Sequence, residues 1–252
     1  TLLASSAASD VYKRQFETKA IKIGYSVSIG ESSLEDIRGY SKYAKDFPYV
    51  GLREKGAKEK VEAICGHSVV DTVDPVLLLT REDWETFVDK SSPLAKEKYL
   101  LCYLIDKKPI KRNMAIAEQI AKERGLKIKY IWMHLEKESF RGNFINDASP
   151  VEFLNYMYHA SAVMTDGYHG TVFSTIFNKP MYSVINNRQS TDSRIRDYLT
   201  LIGLESRIFY GDAPVIPKEE IDYTEVDPKI RSAADASKAF LQSAIDNERV
   251  VK

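Results

Sequence analysis

Apolar positions fall into two rhythms along the chain, short β-capable runs and longer stretches at helical spacing, and their alternation predicts strands followed by helices. Residues 21–28 (IKIGYSVS) form the first such run. Ser33-Leu-Glu-Asp36 then has the form of a capping box, after which Leu34, Ile37, Tyr40 and Ala44 recur at helical intervals. Tyr49 to Leu52 reads as a second strand, Ala57 to Cys65 as a helix closed by Gly66, and Val69 to Val73 as a third strand ahead of Asp74-Pro75. This is a βαβαβ pattern. Residues 91–98 lose the apolar period and carry proline and charge. A linker is therefore expected at 93–98, between an N-terminal domain over 16–92 and a second domain over 99–222.

The second domain opens with the apolar strand Tyr99 to Ile105, continues through a helix near Lys111 to Arg124 closed by Gly125, and returns to a strand at Lys127 to Ile131. Ser149-Pro-Val-Glu152 combines a serine cap, a proline at the first helical position and a glutamate at the third, so a helix should run from there to about His159. A buried strand at Ser161 to Thr165, a helix after His169, the breaker Asn178-Lys-Pro180 and a strand at Met181 to Ile185 complete a doubly wound set. Ile230, Ala234, Ala239, Phe240 and Ile245 mark one closing helix within 223–252. The predicted class is α/β, with two Rossmann-like domains.

Composition narrows the partners. The 252 residues carry 36 Lys+Arg against 36 Asp+Glu, so no basic surplus argues for nucleic acid or a membrane surface. A small molecule is the expected ligand. Cys65 and Cys102 stand in dissimilar contexts without a C-x-x-C pairing, which fits two buried thiols in a reducing, cytoplasmic compartment. No apolar run approaches the length of a membrane span, and no signal peptide pattern opens the chain. Residues 1–15 (TLLASSAASDVYKRQ) share no period with the strand that begins near Ala20 and have the look of a translated adapter or a flexible leader.

Polar residues at the C-terminal ends of the strands are the candidates for chemistry, because a doubly wound sheet delivers them to one crevice. Three places qualify: Ser28 to Gly30, Arg53-Glu54, and Asp166 to Thr171. Arg53 offers a fork suited to carboxylate or phosphate, and its alternative is an ordinary ion pair with Glu54 or Glu59. Arg194, after the polar run Ser190 to Ser193, poses the same choice. At the third place Gly167 and Gly170 flank Tyr168-His169, and Thr171 could donate a hydroxyl beside the amides of a helix start. A lone histidine is more often structural than catalytic, but an imidazole at this junction can donate or accept a proton near a bound anion. His67, His134 and His159 have no ligand-like spacing, so no metal site is expected. Serine-hydrolase, P-loop and dinucleotide motifs find no anchor in the sequence.

Residues 165–180 (TDGYHGTVFSTIFNKP) resemble the hallmark segment of the polysaccharide pyruvyl transferase family. Ile23 to Gly30, Gly51-Leu-Arg-Glu54, Val73-Asp-Pro75, Ser149 to Leu154 and Ser193-Arg-Ile195 are similar to further family motifs in the same order. The resemblance covers about Phe16 to Phe209. It implies a GT-B-like fold of two Rossmann-like domains, with the N-terminal one incomplete because members carry a further strand-and-helix region upstream. It also implies transfer of a pyruvyl group from phosphoenolpyruvate to a polysaccharide sugar as a ketal, with no resident cofactor, and an inactive chain when that upstream part is missing. In that reading His169 is the acid/base and Asp166 or Glu54 orients it or the sugar hydroxyls. Gly170-Thr171, Tyr168, Ser28, Gly30, Arg53 and Arg194 surround the substrates. One position departs from the pattern: Gly167 stands where characterised members often carry an arginine. Two alternatives remain open, a glycosyltransferase using a nucleotide sugar and a non-catalytic binder of sugar or phosphate.

Overall fold

A computed structural model describes residues 21–30, 32–106, 109–132, 143–185, 193–211, 215–217 and 219–250. The segment 1–15, His134 and the run Ser190 to Asp192 lie outside them. The chain divides into two compact units, one of residues 1–78 and 227–252 and the other of residues 79–226.

The first unit is built on a parallel sheet of β1 (Ile23–Val27), β2 (Tyr49–Leu52) and β3 (Val70–Asp71), in that spatial order. Between the first two strands the single expected helix is split into α1 (Leu34–Arg38) and α2 (Ser41–Ala44). Ser33 and Asp36 form the expected capping box on α1. Helix α3 (Lys58–Cys65) ends at Gly66 with φ of +81°, the left-handed C-terminal cap for which glycine is suited. Ile37, Val50, Leu52, Val61 and Ile64 form the core between sheet and helices.

The second unit starts at Leu79 with the short helix α4 (Arg81–Glu85), so the expected boundary at 93–98 lies inside it. There Pro93–Lys96 forms a 3-10 turn capped by Ser92. Proline and charge at this point mark a turn and not a linker, since Ser92 and Pro93 together supply the start of a helical turn. The unit continues through β4 (Tyr99–Leu104), α5 (Ile110–Arg124), β5 (Lys127–Trp132), β6 (Asn143–Ile145), α6 (Pro150–His159), β7 (Ala162–Thr165), α7 (Tyr168–Ile176), β8 (Met181–Ile185), α8 (Ser193–Ile202) and β9 (Ile208–Tyr210), and the chain ends in α9 (Tyr223–Val250). From Asp227 onward α9 belongs to the first unit, where Ser237 accepts a hydrogen bond from the Val73 amide at 3.0 Å.

Among the described residues the second unit has six strands, all parallel, in the order β6-β5-β4-β7-β8-β9. Read from the first strand of the unit this is 3-2-1-4-5-6, the doubly wound order. The central strands β7 and β8 are buried at every position and β4 at five of six, as continuous apolar strands covered on both faces should be. The order reverses between β4 and β7, whose ends are level because Tyr103 pairs with Thr165. That reversal opens a crevice at the carboxyl ends of these two strands, on which the third candidate place sits.

Candidate functional site

The turn from β7 into α7 is held by packing and by Thr165. Its hydroxyl bonds the Tyr103 carbonyl at 2.7 Å and accepts from the Gly167 amide at 3.0 Å, so a single side chain ties the turn to β4. A Cβ on Gly170 would lie 2.3 Å from Thr165 Oγ1 and 2.8 Å from Tyr103 Cδ1. Gly170 is therefore a packing glycine that lets α7 approach the sheet, not a residue reserved for ligand approach. Gly167 caps α7 without any side-chain hydrogen bond, leaving a helix start of the kind that attracts anions. His169 is exposed in this first turn, while Tyr168 beside it is buried. The Arg194 guanidinium lies 6.0 Å from the Tyr168 ring centre, so the start of α8 and the start of α7 meet at this aromatic side chain.

Two candidates have other partners than expected. Thr171 is fully buried, its hydroxyl bonded to the Gly167 carbonyl and to Ser183, so it joins α7 to β8 and does not face a ligand. Its position in the helix explains this: it falls one turn after Gly167, on the face that packs on the sheet. The Asp166 carboxylate accepts from the amides of Ile105 at 2.7 Å and Asp106 at 3.2 Å and from Asn113 Nδ2 at 3.2 Å. The two amide bonds run to the residues just after β4 and the third to α5, so Asp166 bridges the two strand ends. Burial of its carboxyl outweighs the amide bonds and pushes its pKa up to about 6.

The other two places come together in the first unit. Glu54, 1% exposed, accepts from Ser28 Oγ at 2.8 Å and from the amides of Ile29 at 3.0 Å and Gly30 at 2.8 Å, all through one carboxylate oxygen. The second oxygen is buried without a hydrogen-bond partner. Gly30 adopts φ of +57°, which lets the loop curl around the carboxylate. Arg53 pairs with Asp74 at 3.0 Å and donates to Ser26 Oγ at 3.0 Å. Both partners of this ion pair are nearly buried, with side chains 10% and 3% exposed. Arg53 thus belongs to a buried pair that closes the ends of the strands.

Asp74, Ser26 and Asn113 are the site residues that the strand-end rule missed. Asp74 lies in the Val73-Asp-Pro75 motif, but only the fold sets it against Arg53. Asn113 carried a weak signal, being a polar residue on the apolar stripe of α5 with Ile110, Ile116, Ala117 and Ile120. Among the described residues no cluster of histidine, cysteine or carboxylates could hold a metal ion, and no helix is long and apolar enough to cross a membrane.

The family described as polysaccharide pyruvyl transferase matches residues 5–188, which includes all three strand-end places but not Arg194. The chain belongs to this family. The match begins inside the segment 1–15. No curated protein matches the sequence. Among solved structures, a UDP-N-acetylglucosamine 2-epimerase from Rickettsia bellii aligns with a TM-score of 0.58 at 12% identity, over 98% of this chain and 71% of its own length. The UDP-GlcNAc 2-epimerase from Methanocaldococcus jannaschii aligns with a TM-score of 0.50 at 12% identity, over 83% of this chain and 61% of its own. At such identities the likeness concerns the fold alone, and that fold is GT-B-like, with Rossmann-like α/β units.

Proposed function

We propose that this polysaccharide pyruvyl transferase family member moves a pyruvyl group from phosphoenolpyruvate to a sugar of a cell-surface polysaccharide. The supporting observation is the coincidence of the family match with an exposed histidine at an uncapped helix start on the doubly wound switch point. Ketal formation from an enol phosphate requires a proton at the methylene carbon, two sugar oxygens added to the central carbon, and departure of phosphate. One hydroxyl proton ends on the new methyl group and the other on the phosphate. His169 is the acid/base that handles these protons, since it is exposed where the substrate must lie. The first turn of α7 receives the charge of phosphate or carboxylate, with Arg194 beside Tyr168 as the neighbouring cation.

The remaining candidates have supporting tasks. Asp166 ties the end of β7 to the end of β4, and within the first unit Glu54 holds the strand-end loop of Ser28 and Gly30 in shape. This chemistry calls for no resident cofactor or metal. The test is release of phosphate from phosphoenolpyruvate by the full-length protein with a glycan acceptor. Replacing His169 with alanine should lower the rate by at least about 100-fold. Undiminished turnover in that variant would remove His169 from the mechanism. Stabilisation by a nucleotide sugar and not by phosphoenolpyruvate would instead assign the protein to glycosyl transfer.

A further inference from the structure

The turn between α7 and β8 presents a lysine in a setting that suits the neutral amine better than the ammonium. Asn178 takes φ of +52° there, the Lys179 amide donates to the Ser174 carbonyl at 2.8 Å, and the Lys179 carbonyl accepts from the Tyr223 hydroxyl at 2.7 Å. Pro180 restricts the backbone of Lys179 further. The side chain therefore leaves from a fixed point and lies half-buried, with Nζ 5.3 Å from the centre of the Tyr158 ring on α6. Among the described residues no oxygen accepts a hydrogen bond from this amine. The carboxylate that acts on it is Glu85 of α4, but both oxygens of Glu85 are taken, one by Arg81 Nε at 2.8 Å and the other by Lys90 Nζ at 2.7 Å. His159, packed beside Tyr158, is bonded to the Asp89 carbonyl at 2.9 Å and brings no negative charge.

Burial and the repulsion of Arg81 outweigh the attraction of Glu85, and they bring the amine down to about 8 from its ordinary 10.5. The ring face attracts an ammonium, yet it does not replace the hydrogen bonds that the charge has in water. Lys179 is thus a nucleophile near neutral pH, beyond the C-terminal end of α7 and away from His169 in its first turn. Three cationic side chains, Arg81, Lys90 and Lys179, surround the single carboxylate of Glu85. Such a cluster favours a reaction that turns the amine into an anion.

We infer that Lys179 is a carbon dioxide site, its amine forming a carbamate whose charge is taken up by Arg81 and Lys90. The nitrogen lone pair bonds to the carbon of carbon dioxide, one carbon–oxygen π pair moves onto oxygen, and the amine proton passes to solvent. Nothing is oxidised or reduced. Two cations then face two anions, and the carbamate ties α4 to the turn before β8. A half-buried amine also admits a small electrophile more readily than a bulky acyl donor. Nothing in this chemistry depends on pyruvyl transfer.

In the experiment the full-length protein is equilibrated with isotopically labelled carbon dioxide at constant pressure and pH 8, the carbamate is trapped by alkylation with a trialkyloxonium salt, and the site is read by peptide mass spectrometry. Lys179 should carry at least about tenfold more label than the exposed Lys122, since about half of its amine is neutral at pH 8 against about one in 300 for an ordinary lysine. Arg81→Gln should lower that label at least about threefold, because it removes both the repulsion on the ammonium and a partner of the carbamate. Glu85→Gln removes the opposing carboxylate and should raise it, a contrast that mere disturbance of α4 would not produce. If Arg81→Gln fails to fold, the ratio of Lys179 to Lys122 in the unmodified protein still decides. Label on Lys179 no greater than on Lys122, or unchanged in Arg81→Gln, overturns the assignment. So does modification of Lys179 by acetyl phosphate with none by carbon dioxide, which would make the amine an acyl acceptor.

Discussion

Replacing Glu54 with alanine removes the acceptor shared by Ser28 Oγ and the amides of Ile29 and Gly30. The Ile29 amide lies in a buried bond, so it bears the full cost of an unmet donor, about 1–3 kcal/mol. The other two donors are partly buried and regain water, adding about 0.5–1 kcal/mol each. Against this, the variant no longer buries a carboxylate whose second oxygen has no partner, which returns some desolvation energy. The net loss should be about 2–4 kcal/mol. Glu54→Gln keeps one carbonyl oxygen for the three donors and places an amide group where the orphan oxygen was, so its loss should be smaller, about 1–2 kcal/mol. Urea unfolding followed by far-ultraviolet circular dichroism, with hydrogen exchange at Ile29 and Gly30, measures both. Tryptophan fluorescence is the wrong probe, because Trp84 and Trp132 both lie in the second unit. An alanine variant within about 0.5 kcal/mol of the unmodified protein, or unchanged exchange at the two amides, would refute the structural role of Glu54.

Other perturbations separate packing, charge and protonation. Gly170→Ala gains about 1 kcal/mol of helix propensity but drives a methyl into Thr165 and Tyr103, so a net destabilisation of about 1–3 kcal/mol is expected in thermal unfolding. Gly167→Ala should cost less than that, because the nearest atoms to its new Cβ are Cδ1 and Cγ1 of the exposed Ile105 side chain, which can rotate away, while Tyr103 Cε1 lies at 3.4 Å, an ordinary contact. Equal losses in the two variants would contradict this distinction. Asp74→Ala removes the carboxylate paired with the nearly buried Arg53 guanidinium, and denaturant midpoints should report a loss of about 3–5 kcal/mol. The Asp166 pKa of about 6 exceeds its ordinary 3.8, so protonation favours the folded state. The contribution is complete below the ordinary value and is lost as pH rises through about 6, amounting to about 3 kcal/mol across the window. Asp166→Asn should flatten stability over that range, and parallel profiles for the two proteins would refute the assignment.

Much of the architecture was legible because it is encoded locally. The capping boxes at Ser33 and Ser149, the left-handed caps at Gly66 and Gly125 and the strand at Tyr49–Leu52 all appear where turn chemistry and periodicity put them. The short strands β6 and β9 were not legible, since three residues carry too little pattern to separate a strand from a loop. The placement of α9 was also out of reach, because its partner Val73 is 164 positions away in sequence.

The candidate site divides along the same line. Sequence alone determined that a buried strand turns into a helix between Asp166 and Thr171, that His169 sits at this junction, and which family the motif resembles. These depend on neighbours a few residues apart, whose conformations are coupled through backbone hydrogen bonds. That the helix already begins at Tyr168, with His169 in its first turn, came from the structure. Only the tertiary structure decided that Thr171 faces the sheet, that Arg53 pairs with Asp74, and that Asn113 joins Arg112 to Asp166. Those pairings follow from strand order and register, which bring distant residues within a few ångströms and are set by burial of the whole core.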